Sequence, residues 1–125
     1  MTVERKRLGA AGERAAALCL RRSGYKILCR NYTCPAGELD IIARKGRLIV
    51  FVEVKTRTSD FHAHPMDNVR HTKKRHIVRA AKTFLREKKL MDWEYRFDVI
   101  SVVWGTGRKP EKIEHFEAAF EESRL

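Results

Sequence analysis

The sequence predicts an α/β fold in which a mixed sheet is flanked by helices, and three observations carry that prediction. Arg5 to Ser23, and a second stretch starting between Met66 and Thr72 and running to about Lys89, both have helical apolar spacing. Between them, the β-rich runs Glu38 to Ala43 and Arg47 to Lys55 flank Lys45-Gly46, a plausible turn dipeptide. Tyr95 to Trp104 then reads as a further β region, so helices and strands alternate along the chain.

The elements follow in order. The first helix is rich in Ala and Leu and meets Gly24 as its stop. Glu13 stands out, because Ala16, Ala17 and Leu20 fall at i+3, i+4 and i+7 and put this carboxylate on the small apolar stripe. A short strand, Tyr25 to Asn31, comes next. In the hairpin, alternation gives Leu39, Ile41, Ala43, Leu48, Val50, Val52 and Val54 one apolar face. The other face holds Glu38, Asp40, Ile42, Ile49, Phe51, Glu53 and Lys55, and so is apolar near the turn and charged at the open end. Thr56 to Asn68 reads as a polar loop with His62 and His64. In the second helix Ile77, Ala81, Phe84 and Leu85 form the buried stripe, extended one turn back by Lys73. Ile113 to Phe116 is expected to be a short edge strand.

Composition narrows the function. The 125 residues are 43% apolar and 34% charged, which suits one packed domain over residues 1–125. Lys and Arg number 27 against 16 Asp and Glu, and the resulting +11 favours an anionic partner, nucleic acid before membrane. Leu48 to Val52 is too short to span a bilayer, and Glu13 and Arg14 interrupt any secretory signal. Three sparse cysteines argue against a disulfide framework, so a reduced, cytoplasmic protein is expected. Cys29-x4-Cys34, His62-x-His64 and His71-x4-His76 fit no common zinc spacing.

The charged end of the hairpin is the candidate site. A turn centred on Lys45-Gly46 sets Glu38 opposite Glu53 and Asp40 diagonal to it, so three carboxylates converge beside Lys55. Their repulsion calls for a cation, and one lysine cannot offset three acids. Mg²⁺, or Mn²⁺ in its place, answers this: such an ion takes one or two carboxylates plus waters and a phosphate. Asp40 and Glu53 are the expected ligands and Lys55 lies at the attacking water. Glu38 serves a second metal or an outer position. This set suits phosphodiester hydrolysis.

Gly37-Glu38-Leu39-Asp40 followed by Phe51-Val52-Glu53-Val54-Lys55-Thr56-Arg57 resembles the PD-(D/E)XK nuclease signature. With Gly12-Glu13, Gly24-Tyr25, Asn31, Lys73, Ala80-Ala81 and Arg96-Phe97-Asp98-Val99, the chain more specifically resembles the small bacterial YraN-like family from about Gly9 to Phe120. The resemblance implies a restriction-endonuclease-like αβββαβ core and Mg²⁺-dependent cleavage by Asp40, Glu53 and Lys55. In similar archaeal Holliday-junction resolvases a first-helix acid also serves the site, and Glu13 matches that role. Gly37-Glu38 here replaces the usual Pro-Asp leader. Such resolvases work as dimers, which makes a homodimer the oligomeric form to test.

The second helix supplies the expected nucleic-acid contact. Arg70 to Lys89 holds nine Lys or Arg against the single acid Glu87. Lys73, Lys74 and, just past the hairpin, Arg57 are the expected phosphate contacts, DNA being favoured over RNA. Asp98 follows Arg96 at i+2, and an internal ion pair accounts for both. Two functions fit these readings: a metal-dependent nuclease acting on structured or single-stranded DNA, and a nucleic-acid-binding accessory protein with the same fold and no catalysis.

Overall fold

A computed structural model describes residues 3–59 and 71–122. The elements are α1 (Val3–Arg22), β1 (Lys26–Cys34), β2 (Gly37–Lys45), β3 (Leu48–Thr58), α2 (His71–Glu87), β4 (Glu94–Trp104) and β5 (Pro110–Phe120). The strands form one sheet in the order β1-β2-β3-β4-β5. Only β3 and β4 run parallel, because α2 lies between them in the chain and carries it back across the sheet. This is the mixed sheet with flanking helices that the pattern predicts.

Each helix covers one face. Ala16, Ala17 and Leu20 of α1 pack on Ile41, Ala43, Val50, Val52, Ile100 and Val102. Ile77, Ala81, Phe84 and Leu85 of α2 pack on Ile42, Ile49, Phe51 and Phe97. Both helices end in paired reverse bonds from residues just past the helix: Tyr25 N to Leu20 O and Gly24 N to Arg21 O, then Leu90 N to Leu85 O and Lys89 N to Arg86 O. Gly24 and Lys89 hold the positive φ that this closure requires.

The hairpin differs from expectation by two residues. Lys45 pairs with Leu48, so Gly46-Arg47 is the loop rather than Lys45-Gly46. Gly46, at φ 61, takes the first loop position, where a type II′ turn demands a positive φ. A two-residue shift preserves parity, so the predicted faces hold from Ile41 to Val54. Leu39 is the exception: it packs on the α2 side, against the predicted face. The β2–β3 pairing ends at Ile41↔Val52, and Asn31, opposite Asp40 in the β1–β2 ladder, has a left-handed φ of 53. Regular alternation fails at that twist.

β5 is an 11-residue strand, longer than the Ile113 to Phe116 segment expected. It bulges opposite Asp98, with Ala118 at φ 49. Asp98 is fully buried there. Arg96 grips both carboxylate oxygens at 2.8 Å, Ala118 N donates at 2.9 Å, and His115 Nε2 lies 2.7 Å away. The ion pair with Arg96 is therefore internal, as expected. Trp93 and Trp104 pack against the two cores, also as expected. His62 and His64 lie outside the described residues.

One contact sets how closely α1 lies on the sheet. A Cβ on Gly12 would sit 1.9 Å from Thr56 Oγ1 and 2.9 Å from Thr56 Cβ and Cγ2. No side chain fits, and the next residue is Glu13. Gly12→Ala is expected to destabilise the protein by about 1–2 kcal/mol in urea unfolding, because crowding outweighs the ~1 kcal/mol helix gain. Thr56→Ala in the same chain should recover part of the loss, as a double-mutant cycle would show.

Candidate active site

The site forms where β2 and β3 part. Just beyond Ile41↔Val52, Asp40 accepts a hydrogen bond from Val54 N at 2.8 Å through its own Oδ2. A side chain thus takes up a strand N–H at the end of the ladder and is held in one orientation. Glu53, one residue past Val52, is only 7% exposed and points to the α2 side. Lys73, from the first turn of α2, pairs with Glu53 Oε1, and Lys55 Nζ lies 3.9 Å from the same oxygen. Gly37, Glu38, Asp40, Glu53, Lys73, His76 and Ile77 line a cleft of about 250 Å³. Larger hollows of about 540 Å³ beside β5 and about 330 Å³ between β1 and α2 lie elsewhere. Converging charge, rather than volume, singles out the smaller cleft.

The electrostatics show crowded acids. Burial, and then Glu53, push the Asp40 carboxyl up to about 7, against the opposing bond from Val54. Burial also raises Glu13, with Glu38 and Glu53 adding to the effect and Arg30 and Asn31 opposing it. Glu13 Oε1 is buried without a hydrogen-bond partner. Lys55 is lowered by burial and by Lys73. Burial works against the charge on Lys73, yet Glu53 and Asp40 outweigh it and hold the amine above its usual range. Four acids therefore share this end of the sheet with two lysines.

Several expected positions change. Glu38 does not stand opposite Glu53: the register shift gives that place to Asp40, and Glu38 moves to the exposed rim of the cleft. Lys74 turns away, its Nζ 5.5 Å over the Phe120 ring on the β5 side. Arg57 is 9% exposed within β3, leaving little surface to offer a phosphate. Lys73 stands on the sheet-facing side of α2, as expected, where it pairs with Glu53 while staying open to solvent. Asp40, Glu53 and Lys55 come together as expected, and Glu13 lies within their electrostatic reach. Sequence reasoning named Gly12 and Asn31 only as part of the family pattern and His76 only in a rejected zinc spacing, and gave none of the three a place at the site. His76 follows Lys73 by three residues, a spacing that brings both to one side of a helix.

Among the described residues, no three His, Cys, Asp or Glu side chains group closely enough to hold one metal ion. Asp40 and Glu53 are an oxygen-only pair, and the unpartnered Glu13 oxygen adds to the same negative field; this donor chemistry suits a hard divalent cation. The three cysteines are free thiols. No helix among the described residues is long and apolar enough to cross a membrane.

Fold and site together define an α/β protein with a carboxylate–lysine centre at the split between two strands of a five-stranded sheet. The chain belongs to the uncharacterised protein family UPF0102, whose family model matches residues 12–102. This is the YraN-like family that the sequence resembles, and the matched stretch runs from Gly12 through every residue lining the cleft. A UPF0102 protein of Geobacter metallireducens is 48% identical over 121 residues, covering 97% of this chain and 98% of that protein. One from Syntrophotalea carbinolica is 49% identical over 121 residues, covering 97% of each. A third, from Moorella thermoacetica, is 42% identical over 120 residues, covering 96% of this chain and 100% of its own length.

The raised Asp40 has a thermodynamic consequence. The folded state binds this proton more tightly, about 7 against the ordinary 3.8, so without divalent ions stability falls as pH rises through that window. Asn keeps an oxygen for Val54 N and carries no charge. Asp40→Asn is therefore expected to raise the melting temperature by roughly 4–8 °C at pH 8 in EDTA, with no gain at pH 4. Thermal melts at the two pH values check this.

Proposed function

We propose that this chain is an endonuclease that hydrolyses phosphodiester bonds in structured or single-stranded DNA, with Mg²⁺ or Mn²⁺ held by Asp40 and Glu53. The observation that carries the reading is the convergence of Asp40, Glu53 and Lys55 where β2 and β3 part. A divalent ion there supplies charge stabilisation for the phosphate and lowers the pKa of a bound water.

The protein's own groups do the rest. The Val54 N–H fixes the Asp40 carboxylate, so the ligand is oriented before substrate arrives. Lys55, half-buried beside Glu53 with its pKa lowered, orients the attacking water and offsets charge developing on the phosphate. Lys73 faces the same cleft from α2 and meets the substrate phosphate. Glu13 and Glu38 add negative charge behind and at the rim of the ligand pair. The +11 charge draws the polyanion in.

A cleavage panel of duplex, single-stranded, flapped and four-way-junction DNA, with Mg²⁺ and with Mn²⁺, tests the reading. Asp40→Asn and Glu53→Gln are expected to abolish cleavage while DNA binding persists, and Lys55→Met should slow it by about 10²-fold or more. At limiting Mg²⁺ the rate should climb as pH rises through about 7, where Asp40 loses its proton, and level off above it. Full activity in either carboxylate variant would sink the ligand assignment. Salt-sensitive binding with no cleavage of any substrate would instead establish the non-catalytic accessory role.

A further inference from the structure

We propose that Arg75, Arg79 and Arg86 form a phosphate-binding track along α2 that seats a duplex DNA arm leading away from the cleft. The track rests on the reading of the cleft as a site acting on DNA, but not on its catalysis. It also lies outside the contacts the sequence suggests: Lys73 reaches into the cleft beside Glu53, Lys74 lies over Phe120, and Arg57 is buried.

The cations of α2 divide by partner. Lys73 pairs with Glu53, Lys74 with the Phe120 ring and Lys82 with Glu122. Arg75, Arg79 and Arg86 are exposed, and none has a salt-bridge partner among the described residues. At 3.6 residues per turn the three fall within about 40° of one another, a straight stripe. Arg75 and Arg79, like Lys82 and Arg86, stand at i,i+4, where each like-charged pair costs roughly 0.2–0.5 kcal/mol. Glu122 offsets Lys82, but the one acid within the helix is Glu87 at its last residue, so no helix acid relieves the Arg75–Arg79 pair.

Chemistry and dimensions identify the partner. Guanidinium groups match phosphate oxygens in two-pronged fashion, and three of them in line describe a repeating anion. From Arg75 to Arg86 the helix rises about 16 Å, which spans about five base-pair steps of duplex. The stripe starts at the cleft end of α2, about 100° round the helix from His76, so an arm on the track lies along the outer face of the helix beside the site. No Trp, Tyr or Phe is exposed on this helix, and tracks for single strands depend on such rings for base stacking. A duplex backbone is the ligand that needs none.

Fluorescence anisotropy tests the track with an Asp40→Asn chain, using a 20-bp duplex and a 20-nucleotide single strand across a salt series. Adding Arg75→Gln, Arg79→Gln and Arg86→Gln is expected to weaken duplex binding about tenfold or more and flatten the salt slope by about 2–3. Single-strand binding should fall by much less. Gln is a good helix former, and circular dichroism confirms that the helix survives. An unchanged duplex affinity and slope, or an equal loss on both substrates, would overturn the proposal. The two readings separate cleanly: wild-type protein that cleaves nothing but binds duplex through these arginines defeats the nuclease reading and leaves the track standing.

Discussion

The hydrogen bond from Val54 N to Asp40 lies at the point where β2 and β3 cease to pair, and the geometry of the candidate site follows from it. Strands that separate leave a gap and an open N–H. Here a carboxylate takes the N–H, which anchors Asp40 beside Glu53 and keeps the gap lined by acids. Gly12 acts from the other side. Its missing side chain lets α1 lie against Thr56, which brings Glu13 within electrostatic reach of the same carboxylates. Lys73 closes the arrangement from α2.

Two aspartates, Asp98 buried and Asp40 half-buried, show what distinguishes this place from the rest of the core. Asp98 is more deeply buried than Asp40, yet its pKa is held below the usual range, since contacts with His115, Arg96 and Ala118 N overcome the effect of burial. Asp40 has one backbone donor and an acidic neighbour, and rises to about 7. The first is a completed ion pair that ties β4 to β5. The second is incompletely compensated, a condition that structural carboxylates avoid and that sites handling cations and protons exploit.

The same contrast runs through the basic residues. A helix carrying this much positive charge would strain itself if every cation were exposed and alone. Three of its lysines are drawn inward by Glu53, Phe120 and Glu122, which ties α2 to the cleft and to the end of the sheet. The arginines left outside then face solvent in line. Charge that stabilises the fold and charge available to a partner are thus sorted along one helix.

Much of this was legible in the residues. Strand alternation has a period of two, so the facing of Asp40 and Glu53 relative to Ile42, Ile49 and Phe51 followed from the pattern, as did both helices and the buried stripe of α2. The register did not, because a slip of two residues leaves every side chain on the same face, and only the turn at Gly46 distinguishes the alternatives. β5 was seen only in part because an edge strand buries little and its charged residues, Glu111, Lys112, Glu114 and Glu117, follow no strict alternation with the apolar ones. The sequence by itself determined which groups could meet, through periodicity and composition. The tertiary structure alone decided which cations are spent on internal partners, where the ladder ends and how near α1 approaches, since these depend on contacts between segments far apart in the chain.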